Sequence, residues 1–347
     1  MAVLTSRTRT RNFKAKYSAA ILRGLQFIYS LALDADNFTE YGSDLLWCFY
    51  FISSRSKDRN LAALAKSMGQ EEARRWRQEN QDLRSASDPA LLFDYLYGDH
   101  GARSLGLVDR SLTKKIKAAA THFSVTECLG FDPRNEPPPD DFPDQCECGQ
   151  WNKRSKSNCI ECGAKLEFMT RYGVWCDALI MSYWCDKQVS IEGLNYADVI
   201  KWLHYMRPYA IDKKNADADF YDAVYAITHV IYTLNDYSRY RLSPKWLPQE
   251  FEFLTSNLAS ALRREDPEMV GEFLDSLKSF GLDQRHSLIK EGMEYLLTVQ
   301  NDDGSWGETS ADDMYARYHP TWTAIDGLRD YAWQGQRLSR PGVLRLL

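Results

Sequence analysis

The sequence predicts an all-α fold interrupted by a small cysteine module. Three observations carry this. Apolar residues recur at helical spacing over most of the chain. Outside the cysteine segment no convincing run alternates apolar and polar residues as a half-buried strand would. And Cys146, Cys148, Cys159 and Cys162 crowd together behind three consecutive prolines, where neither helix nor central strand can continue.

The first stretch, TSRTRTRNFKAKYSAAILRGL, is basic and free of acids. That composition is shared with transit peptides, but the apolar core of a secretory signal is missing. A solvated arm leading into the first helix is the preferred reading. LLWCFYFI, residues 45–52, is the longest unbroken apolar run and is far too short to span a bilayer. DRNLAALAKSMGQEEARRWRQENQDLR, residues 58–84, is rich in strong helix formers.

Next comes GFDPRNEPPPDDFPDQ, residues 130–145, a proline-rich connector. CECGQWNKRSKSNCIECG follows, spaced as Cys-x-Cys, ten residues, then Cys-x-x-Cys. Two short cysteine turns across a polar loop can surround Zn²⁺ with four thiolates, a closed arrangement typical of structural sites. Gly149 and Gly163 relieve crowding where amides turn toward the sulfurs. Eight cysteines in 347 residues are too few for a disulfide framework. Their spacing points to a metal and a reducing, cytoplasmic compartment.

Beyond the module, DPEMVGEFLDSLKSFG opens with an Asp-Pro cap and stops at Gly281. RHSLIKEGMEYLLTVQ sets Ile289, Met293, Leu296 and Leu297 on one face. The helical segments echo one another. VWCDALIMSYWCD, DAVYAITHVIYTLND, PEMVGEFLDSLKSF and YHPTWTAIDGLRDY are each apolar with one or two polar residues inside the apolar face. Aligning Tyr183, Leu234, Leu277 and Leu328 makes Ala178, His229, Glu272 and Thr323 equivalent, a period suited to a helical hairpin. AAATHF around His122 resembles YAITHV around His229.

The turn QNDDGSWG, residues 300–307, resembles the Gln-Trp repeat of the terpenoid cyclases. YARYHPTWTAIDGL after it resembles the last repeat of protein prenyltransferase β subunits, where a Tyr-His pair opens an inner helix and the His binds zinc. The close match covers residues 285–333. Both families share the α/α toroid, so the resemblance implies helical hairpins in a ring with a small inserted zinc ribbon. The expected divisions are 1–131 and 169–347 for the two parts of the toroid, and 132–168 for the connector and ribbon. The resemblance also implies that the Gln side chain caps a neighbouring helix N-terminus, whose free N–H groups need an acceptor. The cyclase motif Asp-x-Asp-Asp is absent; DADN at 34–37 and DADF at 217–220 each lack the final Asp. The Asp-x-Cys ligand pair of the prenyltransferases has no clear counterpart at the expected place, though the adjacent Cys176 and Asp177 hold both residue types.

In a toroid, Asp177, His229, Glu272 and His319 lie near the mouth of inner helices. Two imidazoles and one or two carboxylates suit Zn²⁺ or non-haem Fe²⁺ with open positions. His229, Glu272 and His319 are the candidate ligands of this second metal. Asp326 and Asp236, two turns beyond the two histidines, can orient an imidazole; Asp44 and His122 are further options. Asp326 is also a candidate proton donor. Aromatic residues such as Trp175, Tyr183, Trp184, Tyr232, Trp322 and Tyr331 either line a cavity or fill the core. A histidine inside an apolar helix is more often a hydrogen-bonded core residue than a ligand.

The implied activity is metal-dependent chemistry on a small, largely apolar substrate, isoprenoid-like or another specialised metabolite. A metal-free cyclase and a non-catalytic scaffold with a partner-binding ribbon are the alternatives. A net charge of −5 gives no general attraction for nucleic acid, and none is expected as a partner.

Overall fold

The computed structural model describes residues 2–81, 88–141, 146, 148–153, 156, 158–166, 168–210 and 216–347. Among these residues the chain is helical, and β pairing is limited to isolated bridges. Among them, too, no helix is long and apolar enough to cross a membrane.

The helices are α1 (Ala2–Leu33), α2 (Ala35–Arg55), α3 (Arg59–Glu79), α4 (Pro89–Ser104), α5 (Arg110–Ala120), α6 (Val125–Leu129) and α7 (Arg171–Gln188). They continue as α8 (Tyr196–Ile200), α9 (Leu203–Met206), α10 (Ala216–Asn235), α11 (Pro248–Arg263), α12 (Pro267–Ser279), α13 (Ser287–Thr298) and α14 (Tyr315–Leu328). All four echo segments are helices: α7, α10, α12 and α14.

Local chemistry explains most boundaries. Asp34, Asp58, Asp88 and Asp266 each accept a hydrogen bond from an amide in the first turn of α2, α3, α4 and α12. Pro89 and Pro267 follow two of these caps, where a missing N–H costs nothing. α12 stops where Gly281 turns to φ 96°. Two boundaries depart from expectation. The basic N-terminal stretch is helical from Ala2, not an arm: it contains no proline, its Lys, Arg, Ala and Leu residues favour helix, and Gly24 sits where Trp306 packs against it. α14 begins at Tyr315, so His319 lies in its second turn and Pro320 inside the helix. Proline's fixed φ fits a helix, although inside one it gives up a hydrogen bond and crowds the carbonyl one turn earlier.

The chain forms two compact units. The first joins 1–119 with 234–341, and the second joins 120–233 with 342–347. In the first, α2 packs on α3 and α4, α1 on α14, and α12 on α14. The α12–α14 contact is the tightest: a Cβ on Gly271 would lie 2.5 Å from the Thr323 carbonyl carbon, and one on Gly327 would lie 3.0 Å from Gly271 Cα. Only glycines permit backbones this close. In the second unit α7 packs on α6 and α8, and the cysteine module is held at its base by pairing of Asp141 with Met169.

The QNDDGSWG turn is a clip within the first unit. Gln300 donates its amide to the carbonyls of Ala20 and Gly304, both at 2.9 Å, and Arg23 donates to Gln300 Oε1. Trp306 is fully buried, donates to Leu296 O at 2.8 Å, and its amide donates to Thr321 Oγ1 at 3.0 Å. Gln300 therefore binds the middle of α1 rather than capping a helix N-terminus. The reason is donor direction: its NH₂ group meets carbonyl oxygens, which a helix N-terminus does not offer.

Candidate metal centre and buried acid–base cluster

Cys146, Cys148, Cys159 and Cys162 converge, with all four sulfurs within 4.8 Å of one another. Cys146 and Cys162 sulfurs are 3.6 Å apart, and those of Cys148 and Cys159 are 3.7 Å apart. A disulfide needs about 2.05 Å. Four sulfurs around Zn²⁺ at about 2.3 Å lie about 3.8 Å apart along a tetrahedral edge, so the spacing fits a zinc–thiolate site.

The backbone builds this geometry twice. Gly149 and Gly163 take φ 86° and 72°, and their amides donate to Cys146 O (2.8 Å) and Cys159 O (3.0 Å). Asn152 accepts from the Ile160 amide at 3.0 Å and ties the two turns together. The amide of Cys162 helps hold Cys159 down to about 6. Cys148 is pushed up to about 12: the Gln150 amide favours its thiolate, but the neighbouring thiols, Cys162 first, and burial oppose it more strongly. Crowded thiols cannot all ionise unless a cation joins them. All four ligand positions are cysteines, so such a metal is structural, with no open coordination position. Among the described residues no other group of three or more His, Cys, Asp or Glu converges in this way.

The remaining candidates divide between the units. Asp177 and His229 are in the second. Asp177 is exposed on α7. His229 Nδ1 lies 2.8 Å from Tyr225 O one turn earlier, which makes Nδ1–H the donor of this bond. Its ring meets Tyr232 edge-on at 5.3 Å. His122 is exposed beyond the end of α5, so its likeness to His229 does not extend to its surroundings.

Glu272, His319 and Asp326 are in the first unit, at the α12–α14 contact. His319 pairs with Glu268, Nδ1 to Oε1 at 3.0 Å, with both side chains about 15% exposed. Glu272 lies one turn further along α12 and is buried. Asp44 of α2 accepts from the Tyr318 hydroxyl at 2.9 Å. Burial alone disfavours the imidazolium, but Glu268, Glu272 and Asp44 outweigh it and raise His319 to about 9. Burial raises Asp44 in turn, against the stabilising Tyr318 bond and His319 charge. His319 thus holds its proton at neutral pH, while Asp44 retains its own above the usual carboxylate range.

Aromatic rings surround the pair. Tyr315 stacks on His319 at 4.7 Å and 14°, Trp322 meets it edge-on at 5.9 Å, and Phe51 stacks on Trp322 at 6.1 Å. Tyr315 is exposed, and His319, Trp322 and Asp326 are half-buried.

A second network lies deeper. Asp326 accepts from Arg329 Nε at 2.7 Å, and Lys278 donates to the carbonyls of Gly327 and, at 2.9 Å, Arg329. Burial and the charge of Asp326 lift Asp275 to about 7, while burial lowers Lys278 to about 8. Asp236 is not on α10. It begins three left-handed residues, φ 59°, 49° and 60°, held by Arg55, by Asn235 and by the Ser238–Asp275 bond. Sequence reasoning misses Glu268, Lys278 and Arg329, and reaches Asp275 only as an alternative to Glu272 on the same helix. One signal was present: Glu268, Glu272 and Asp275 follow helical spacing inside an apolar helix.

Compared with known proteins, the chain matches no family model, no curated protein and no solved structure.

Proposed function

We propose that the protein is an enzyme of the α/α-toroid kind, active in the cytoplasm, that moves protons on a small, largely apolar substrate. The observation that carries this reading is the half-buried face of α14. There an imidazolium paired with Glu268 and a carboxyl bonded to Tyr318 share one aromatic wall. A protonated imidazole is a general acid, the buried carboxylates beside it are bases, and ring faces favour positive charge developing on a hydrocarbon. His319 is the proton donor, Glu268 and Glu272 keep it charged, and Asp44 with Tyr318 is a second acid. The four-cysteine site holds structural zinc and takes no part in the chemistry. The likeness of residues 285–333 to terpenoid cyclases and prenyltransferases supports an isoprenoid-like substrate.

The test is conversion of geranyl, farnesyl and geranylgeranyl diphosphates and squalene, read by gas chromatography with mass spectrometry. The expected result is a product that still forms after chelation and is lost in Asp44→Asn and His319→Gln. Failure to bind or convert any probe, or full activity in both variants, would overturn the reading. Activity that stops on chelation, with a second metal lost in His319→Ala, would replace it with a metal-dependent enzyme using His319.

A further inference from the structure

The first unit contains a concavity beside the end of α14. Its volume is about 490 Å³, within the range that holds small-molecule ligands. Its walls come from α1, from the start of α3 and from the residues just after α14. Lys57 N donates to Asp330 O at 2.8 Å, which pins two of these walls together.

The two ends of the cavity differ. Ile21 and Leu22 of α1 face it together with Leu61 and Leu64 of α3. Leu22 is 40% exposed, an apolar surface left unfilled. The polar end has Tyr17, Lys14 and Lys57. Tyr17 is 3% exposed, and its hydroxyl has no hydrogen-bond partner among the described residues. A buried hydroxyl without a partner is destabilising, so one retained beside a cavity points to a partner that arrives from outside.

Two of the other polar groups lining the cavity are occupied. Asp58 accepts from the amides of Asn60 and Leu61, at 2.9 and 3.2 Å. Arg329 is bound by Asp326, Phe51 O and Ser56. No ion pair among the described residues claims Lys14 or Lys57.

We infer that this cavity binds an amphipathic carboxylate. Its head meets Lys14, Lys57 and the Tyr17 hydroxyl, and its hydrocarbon lies along Ile21, Leu22, Leu61 and Leu64. A single negative charge is favoured over a doubly charged phosphate because the carboxylates of Asp58 and Asp330 border the same end. None of the residues that hold the ligand belongs to the proton-transfer face, and occupancy of the cavity does not depend on that activity.

Decanoate is the probe, titrated calorimetrically into the full-length protein, with decan-1-ol and decyl phosphate as controls. The expected result is saturable binding at one site, at least about tenfold tighter for decanoate than for either control, a 1.4 kcal/mol difference per tenfold. Lys57→Met, a surface change, should weaken decanoate about tenfold and leave decan-1-ol unchanged. Leu61→Trp, which fills the apolar end, should remove binding of both, with its melting transition checked against wild type. Three results overturn the inference: no saturable decanoate binding, decyl phosphate binding tighter than decanoate, or binding indifferent to Lys57→Met.

Discussion

Raising the pH should cost the first unit the stabilisation held in the His319–Glu268 pair. The imidazole stands at about 9 in the folded chain against its ordinary 6.5. Its folded value is therefore above the unfolded one. The contribution is fully present below about pH 6.5 and is lost as pH rises through about 9. At about 1.4 kcal/mol per unit, the shift corresponds to about 3 kcal/mol. Both side chains are about 15% exposed, so solvent screens the pair little.

The groups facing the imidazole are Glu268 and Glu272 of α12 and Asp44 of α2. Lys278 titrates in an overlapping range with the opposite sign. Its pKa is lowered to about 8, so its burial penalty eases as pH rises from there toward 10.5. Comparison with His319→Gln removes that contribution, because Lys278 is common to both proteins. Urea denaturation at about pH 6 and about pH 10 gives the stability difference between wild type and variant at each pH. That difference should shrink by about 3 kcal/mol from the lower pH to the higher. Imidazole NMR signals provide the direct readout, and Glu268→Gln should bring the midpoint down by more than about one unit. A His319 midpoint at or below 6.5, or a stability difference independent of pH, would refute the reasoning.

Two further outcomes test other parts of the structure. The purified protein should carry zinc, measured by mass spectrometry and lost when Cys159 and Cys162 are both changed to Ser; zinc added to the stripped protein at neutral pH should release protons, since Cys148 lies up at about 12 before the metal binds. Gly271→Ala should lower stability by about 1–3 kcal/mol despite alanine's better helix propensity, because its Cβ meets the Thr323 backbone. Gly42→Ala, whose Cβ would sit an ordinary 3.4 Å from the Phe38 ring, should instead stabilise by about 0.5–1 kcal/mol; thermal melts of the two variants shifting in the same direction would contradict the close α12–α14 approach.

What could be read from the sequence was what neighbouring residues decide. The Asp-Pro starts of α4 and α12 and the Gly281 stop are local chemistry, written within a few residues. The cysteine cluster is also local: its ligands come from two turns joined by one short loop, and the glycines after Cys148 and Cys162 mark where the backbone must turn. The start of α14 differs from expectation: the resemblance places a helix start at the Tyr318-His319 pair, yet α14 begins at Tyr315.

Contacts between distant segments could not be read in this way. His319 was chosen for its neighbours Tyr318 and Pro320, but its charge is set by Glu268 and Glu272 on another helix and by Asp44, near the other end of the chain. Tyr318 meets Asp44 across 274 residues. The link between sequence and site runs through two glycines. Gly271 and Gly327 bring the α12 and α14 backbones together closely enough that side chains on their shared edge must meet. Helical spacing puts Glu268, Glu272 and Asp275 on one face of α12, and His319, Asp326 and Arg329 along α14. Widening that contact would let water between His319 and the carboxylates of α12 and weaken their pairing. The glycines therefore contribute to the proton affinity of His319 through the close approach of the two helices.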